Sequence, residues 1–332
     1  MPALTCPNCA ADLNVPAGSP IYTCEYCGTA IQIAGKIEGD TSEGEQSIIK
    51  DHFIIRAKYG PEQADELLID WVKKIPGAPQ DFEASANIHT RKLKFYPLWV
   101  SEHAATSEYV GIDDWPQFSN PAHDRAGWYE HVSYYPKEES GNIVREYQIP
   151  LMALDVEKLP KYLRTYIVTT TGKEYFDINH VKKLGGEIID SVYTYDEAKS
   201  KSHQAVMDRQ TAEMHKEVKK ITQRSDNIQQ RGLYYIHFPL YEYLFNYNGK
   251  EHDALIDGSS GRVVHVKVPV SKEFRAKTMM AAAIHWALGV VCLLLGIFLM
   301  SIFGLVAGIG LLIVGFMFFG LNLRGKASEK QT

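Results

Sequence analysis

From Thr278 to Leu323 the chain runs for 46 residues without one Asp, Glu, Lys or Arg, bounded by Lys277 and Arg324. A single helix of that length would rise ~69 Å at 1.5 Å per residue, more than twice the ~30 Å hydrocarbon core of a bilayer. One crossing is too few. Two crossings fit, about 280–300 and 303–323, because each half supplies the ~20 apolar residues a span needs, with the reversal near Ser301, Ile302, Phe303 and Gly304. A buried hairpin in a soluble core would keep a polar stripe, whereas here every helical face is apolar. Residues 278–323 read as a two-helix transmembrane hairpin, with 324–332 as a tail.

The flanks orient it. Lys267, Lys272, Arg275 and Lys277 precede the hairpin and Arg324, Lys326 and Lys330 follow it, while the turn is uncharged. Positive residues stay on the cytoplasmic side, so both termini are expected in the cytoplasm of an integral protein of the plasma or inner membrane. Met1 to Pro20 has neither a basic start nor a continuous apolar core and does not read as a signal peptide. Gly304 and Gly308 form a GxxxG, and Gly289 and Gly296 stand a heptad apart. Small residues let backbones approach, which serves hairpin closure or association with another membrane helix, and an oligomer through Gly304 and Gly308 is one reading. His285 and Trp286 sit where amphipathic rings anchor at headgroup level, and Cys292 reads as an apolar filler.

At the other end, Cys6-Pro7-Asn8-Cys9 and Cys24-Glu25-Tyr26-Cys27-Gly28 are separated by fourteen residues. Each CxxC offers two thiolates from one tight turn, and two such turns build the tetrahedral sulfur cage of a zinc ribbon, a zinc finger of closed coordination. Gly28 allows the sharp turn after the last ligand. Cys6, Cys9, Cys24 and Cys27 are therefore the expected ligands of a structural Zn2+. A stretch of about 33 residues cannot bury enough surface to fold alone, so the metal would supply its folding energy. A thioredoxin-like redox site would need one CxxC in a βαβ setting, and does not account for two.

Nucleic acid is a poor match. No Lys or Arg precedes Lys36, whereas Asp12, Glu25, Glu38 and Asp40 add negative charge, and the whole chain carries a net charge of -5. Phosphate contacts dominate nucleic-acid affinity, and this module lacks the cations to make them. Residues 34–46, AGKIEGDTSEGEQ, read as a flexible linker, which would leave the ribbon on a tether.

The body, residues 47–269, reads as a β-rich α+β domain. His52 to Ala57 is a strand candidate. Gly60-Pro61 opens a helix with Ala64, Leu67, Leu68, Trp71, Val72 and Ile75 at helical spacing, and Pro76-Gly77 ends it. A motif then occurs twice, Phe95-Tyr96-Pro97-Leu98-Trp99 and His237-Phe238-Pro239-Leu240-Tyr241. Proline cannot donate to a strand ladder, which places both copies at a sheet edge or bulge. The second copy begins a meander: Leu233 to Tyr247, the Asn248-Gly249 turn, Glu251 to Ile256, a turn from Asp257 to Gly261, and Arg262 to Val268. The first is looser, with an interruption from Trp115-Pro116 to Pro121, then Gly127 to Tyr135 and Ile143 to Leu151 as a hairpin around Ser140-Gly141-Asn142. Two related β units result, about 88–156 and 231–269, with a helical insert at about 157–230. Within it Asp177 caps a short helix ending at Gly185-Gly186, Glu187 to Tyr195 is a strand, and Asp196 to about Arg224 is a polar helix with a stripe of Met207, Met214, Val218 and Ile221.

Enzyme motifs are missing: no HExxH, phosphate loop, GxSxG elbow or dinucleotide fingerprint occurs. Asp257-Gly258-Ser259-Ser260-Gly261 is hairpin turn chemistry, and His123-Asp124 and His252-Asp253 are strand neighbours that point to opposite faces. The twelve histidines have no metal spacing and read as surface or core residues.

CPNC and CEYC near the start, YPLW and FPLY in the body, the YNGKEHDALIDGSSGRVVHVKVP meander and the apolar C-terminal segment together resemble the prokaryotic membrane proteins with a transcription-factor-IIB-type zinc ribbon. Members of that family are often labelled helicase-like, and one group looks like the membrane partners of phage-shock PspA systems. The resemblance implies Cys6, Cys9, Cys24 and Cys27 as zinc ligands and an adaptor role; the helicase label has no nucleotide-binding motif to rest on.

The reading is a non-enzymatic, membrane-anchored adaptor that meets lipid through its hairpin and a protein partner through its ribbon. A membrane-bound enzyme with a pocket between the β units, and a membrane-tethered nucleic-acid binder, stay open as alternatives. Reporter fusions at Met1 and at Thr332 should both report cytoplasm; an external signal from either overturns the same-side topology.

Overall fold

The computed structural model describes every residue except 1–3, 17, 34–45, 80, 119–121, 125–126, 130–131, 156, 269, 299–301 and 331–332. Most of the expected linker and Ser301 of the expected reversal therefore lie outside the described residues. In chain order the elements are β1 (Ile21–Thr23), β2 (Ala30–Gln32), β3 (Ser47–Ile48), β4 (His52–Ile55), α1 (Pro61–Lys73), α2 (Phe82–Ser85), β5 (Asn87–Phe118), β6 (Ala122–Asp124), β7 (Gly127–Tyr129), β8 (Val132–Met152), α3 (Lys161–Arg164), β9 (Lys173–Tyr175) and α4 (Ile178–Lys183). They continue with β10 (Glu187–Ile188), α5 (Tyr195–Glu217), β11 (Lys220–Tyr247), β12 (Lys250–Asp257), β13 (Val263–Val266), α6 (Lys272–Phe298) and α7 (Ile302–Lys330). β1, β2 and β3 form a small sheet; a larger one runs β10-β5-β11-β12-β13, with β8 on β5 and β4 between β11 and β9. The two copies of the proline motif thus lie on neighbouring strands, β5 and β11. Two compact units arise, Met1–Arg56 with Phe95–Phe238, and Ala57–Lys94 with Pro239–Thr332.

Neither proline sits at a sheet edge. In β5 the ladder to β8 begins at Leu98↔Met152, while Phe95 O accepts from Ile189 N beside β10, so Pro97 stands where β5 changes neighbours. In β11, β4 pairs with Tyr235 to His237 and β12 starts at Leu240↔Asp257, which leaves Pro239 at a second change of neighbour. A residue without an N–H costs nothing where the ladder is already interrupted. The expected edge position is corrected to an interior strand between two partners.

The first unit contains the long pair of β5 and β8, in continuous register from Leu98↔Met152 to Phe118↔Val132. This removes the hairpin expected around Ser140-Gly141-Asn142 and the break expected at Trp115-Pro116, for Trp115 pairs with Tyr135 and Tyr109 with Gly141. Gly141 serves the sheet, not a turn: a Cβ there would lie 2.5 Å from the Tyr109 hydroxyl oxygen, because the Tyr109 ring covers the glycine across the strands.

Across this pair lies α5, opened by a capping box between Thr194 and Glu197. It buries Ala198, Ser202, Val206, Gln210 and Met214, a stripe at strict four-residue spacing. The helix expected through Arg224 stops at Glu217; Val218 is already extended (φ -136, ψ 143), and β11 begins at Lys220. Val218 and Ile221 join Met214, Tyr109 and Ile143 in one cluster, reached from beyond the helix end. The polar run from Thr222 to Arg231 is strand, its pairing supplied by neighbours and not by its own propensity. The strand expected from Glu187 to Tyr195 shrinks to the two residues of β10.

In the second unit α1 forms as expected, with Gly60 N donating to Gln63 Oε1 at 2.9 Å and Ala64, Leu68 and Val72 buried one turn apart. The meander is present, and Asn248 and Gly249 both adopt left-handed conformations (φ 51 and 74), as a two-residue hairpin turn requires. Gly77 (φ 88) ends the α1 region against the Phe274 ring, and its carbonyl accepts from Ser271 N at 2.9 Å. Ser271 Oγ then accepts from Phe274 N at 3.1 Å and caps α6.

α6 and α7 pack as a hairpin, each long and apolar enough to cross a membrane. Their glycines face each other: a Cβ on Gly296 would fall 2.7 Å from Leu305 N, and one on Gly308 2.9 Å from Gly289 O. Gly304 and Gly308 thus face the other helix of this hairpin. Trp286 covers Gly315, with Phe316 and Phe319 at ring distances of 5.3 and 5.5 Å, so its ring packs across the hairpin. Outward, Met280, Leu294, Ile297, Phe303, Val306 and Phe316 are all more than 60% exposed, a large apolar surface.

Gly141→Val should force the Tyr109 ring aside and destabilise the first unit by roughly 1–3 kcal/mol. Urea unfolding followed by tryptophan fluorescence checks this; an unchanged midpoint would show that the ring moves freely.

Candidate metal centre and the buried network behind it

Two nearly equivalent turns carry the cysteines. In the first, Ala10 N donates to Cys6 O at 2.8 Å and Cys6 N to Ala11 O at 2.8 Å; in the second, Gly28 N donates to Cys24 O at 2.9 Å and Cys24 N to Thr29 O at 2.9 Å. Closing each turn demands a left-handed residue just after the second cysteine, Ala10 (φ 60) or Gly28 (φ 78). The second position is glycine for a further reason: the Phe176 ring approaches within 3.0 Å of where a Cβ would stand.

These turns bring Cys6, Cys9, Cys24 and Cys27 together with all four sulfurs within 4.8 Å of one another, so the group could hold a metal ion. Cys6 Sγ lies 3.7 Å from Cys27 Sγ, and Cys9 Sγ 3.8 Å from Cys24 Sγ. A tetrahedral ion with sulfur bonds of about 2.3 Å has its corners about 3.8 Å apart, so the donor set fits in size and chemistry. Thr29 tunes one corner. Its hydroxyl oxygen accepts from Asn8 Nδ2 at 2.9 Å and from Cys27 Sγ at 3.2 Å. Burial pushes the Cys27 thiol up, but its contacts with Thr29 and the neighbouring thiols bring it down to about 6, whereas Cys9 and Cys24 are raised by sharing the same cluster.

The module does not hang free. β3 pairs with β2 (Ile31↔Ile48, Gln32↔Ser47), and Ile21, Ala30 and Ile49 share one core cluster with Trp99, Ala198, Leu233 and Tyr235. Polar clamps reinforce the join. Asp190 accepts from Thr23 N at 3.0 Å and Thr23 Oγ1 at 2.6 Å, and Gln32 Oε1 accepts from Tyr195 N at 2.9 Å. Burial pushes the Asp190 carboxyl up to about 6 while Thr23 pulls against it.

Behind the second turn lies a pair of buried histidines. His52 Nε2 is 2.9 Å from His237 Nδ1, and His237 Nε2 is 3.1 Å from Ile189 O. His52 stacks on Phe176 at 4.1 Å, and Tyr235 packs on both imidazoles. Sequence reading assigned the histidines only to surface or core. The missed signal was His237, a polar residue where the first copy of the proline motif has Phe95.

Elsewhere in the first unit a groove of about 780 Å³ opens along α5 and β11, lined by Lys199, His203, Gln230 and Arg231 among others. Beneath it Ser101 Oγ is 2.6 Å from His103 Nε2, the distance of a catalytic dyad. Both are buried, at 0% and 2% exposure, and Gln230 and Gly232 already engage the serine hydroxyl, so no substrate reaches it. The pair holds the sheet to α5 through Ser202.

No family model, curated protein or solved structure matches this chain.

Burial holds the imidazole of His52 well below its usual pKa, and that of His237 down to about 3 for the same reason. Below about pH 6.5 the unfolded chain takes up protons that the folded protein refuses, so stability is full above that pH and lost as pH falls, by up to about 1.4 kcal/mol per unit per histidine. Unfolding measured between pH 7 and 5 should show this slope, reduced by one such increment in His237→Asn; equal slopes in the two proteins would mean the pair titrates normally.

Proposed function

We propose that this protein is a non-enzymatic membrane adaptor: a zinc-loaded ribbon fixed on a β-rich cytoplasmic body, held at the bilayer by a two-span hairpin. The observation that carries the reading is the pairing of a closed four-sulfur centre with helices whose outward faces are apolar along their length. Four protein ligands leave no open position for a substrate or an activated water, which suits a structural zinc and not a hydrolytic one. The soft, tetrahedral sulfur set favours zinc among the ions a reducing cytoplasm offers. Because β1 to β3 join the core of the first unit, a partner would meet the ribbon and the body as one surface instead of a swinging head. The ribbon's acidic character and the thiolate charge point to a protein partner in place of nucleic acid. The resemblance of the sequence to membrane partners of phage-shock systems supports reading that partner as part of a membrane-stress response.

Two measurements test this. Elemental analysis of the purified full chain should find about one zinc per chain, lost in Cys24→Ser. Crosslinking and affinity purification from native membranes should return a stable protein partner with the wild type, reduced at least about tenfold with Cys24→Ser by loss of the surface. A wild-type sample with no partner would end the adaptor reading.

A further inference from the structure

The two cysteine turns are alike in geometry but unequal in how the rest of the protein holds them. Among the described residues, the anchors to the rest of the first unit run to the second. Thr23, directly before Cys24, is gripped by Asp190 through both its amide and its hydroxyl. Gly28, directly after Cys27, bears on Phe176, and its backbone is bonded to His52. Farther along, Ala30 enters the cluster around Trp99 and Tyr235, and Gln32 meets the first amide of α5. These ties converge: His52 meets His237, which meets Ile189, and Asp190 follows it in the chain.

The first turn has a different situation. From Leu4 to Pro16 the regular structure is a single bridge, Thr5↔Asp12. The hydrogen bonds of this segment close on itself, as Leu13 N to Leu4 O at 2.7 Å, or reach the second turn, as Asn8 to Thr29. Its apolar contacts, from Leu4, Cys6, Leu13 and Val15, go to Tyr22, Cys24, Cys27, Ile31 and Ile33 of the same module. Each turn buries its first cysteine, Cys6 or Cys24, but the second cysteine is exposed in the first turn (Cys9) and half-buried in the second (Cys27).

We propose that the metal centre is a one-sided latch: withdrawal of the ion releases the segment from Leu4 to Pro16, with Cys6 and Cys9, while the Cys24 and Cys27 turn stays seated on the body. This rests on the metal reading of the four cysteines. In the latched state the segment covers Tyr22 and Ile31; on release their apolar faces become available, and the segment itself is the natural occupant of the site it leaves. Metal supply then sets how much of this surface the protein shows. Short segments with few hydrogen bonds of their own occupy the low-stability end of a structure, so local opening precedes any global unfolding.

The test uses the full chain in detergent, loaded with zinc and then treated with excess chelator. Each cysteine is followed by pulsed N-ethylmaleimide and mass spectrometry, and each backbone region by amide hydrogen exchange. After chelation, Cys6 and Cys9 should react at least tenfold faster than Cys24 and Cys27. The rise in exchange should be confined to residues 4–16, with 21–32 and His52 to Ile55 still protected. Asp190→Ala, which removes one anchor, should bring the chelated rates of Cys24 and Cys27 toward those of Cys6 and Cys9. Four cysteines reacting within twofold of one another, or exchange rising equally across residues 4–32, would overturn the latch while leaving the metal site intact. A purified protein that holds no zinc would overturn both the latch and the metal reading on which it rests.

Discussion

Four sulfur atoms held within 4.8 Å of one another set the terms for the N-terminal part of this protein. As thiolates they would repel by about 4 kcal/mol per pair at an effective dielectric of about 20, so only a cation lets them stay charged and close. The short strands around them have little else to hold them, since the module's own core is a few side chains around Tyr22 and Ile31. What the module lacks in core it gains from the body, where Trp99 and Tyr235, both fully buried, receive Ile21 and Ala30. Polar groups line this join, and Asp190, His52 and His237 each find partners in it. Buried polar groups that are all satisfied fix one geometry and tolerate few others.

At the opposite end of the chain the dominant constraint is the solvent. Helices α6 and α7 are apolar on the faces that bind each other and on the faces that do not. Glycines at 289, 296, 304 and 308 bring the two backbones into close van der Waals contact. Each helix is long and apolar enough for the remaining surface to face a bilayer. The start of α6 is firm, for Ser271 caps it and Phe274 is seated against Gly77.

Features governed by local chemistry were legible in the sequence. The four cysteines, the Asn248-Gly249 turn, the Asp177 cap, the α1 stripe and the apolar hairpin each depend on residues within a few positions of one another, and each stands where the pattern put it. What depended on a distant partner was misread. Residues 222–231 are polar and lack alternation, yet β5 makes them strand. Gly141 resembles a turn residue until Tyr109 is placed above it. The buried stripe of α5 includes Ser202 and Gln210, so a search for apolar spacing settled one residue away on Met207 and carried the helix too far. At the centre itself the gathering of the four cysteines is legible from their spacing, but the asymmetry of their support is not, because Asp190 and His237 lie far along the chain from Thr23 and Gly28.

The pairing of β2 with β3 has a practical consequence. Ile31↔Ile48 and Gln32↔Ser47 pin the chain on both sides of residues 33–46, so the two ends are fixed whatever joins them. Loop-closure entropy grows only logarithmically, with each doubling in length costing about 0.6 kcal/mol. A fluorescent or affinity tag inserted there would report on the protein from a point close to the sulfur cluster while leaving both chain termini unaltered.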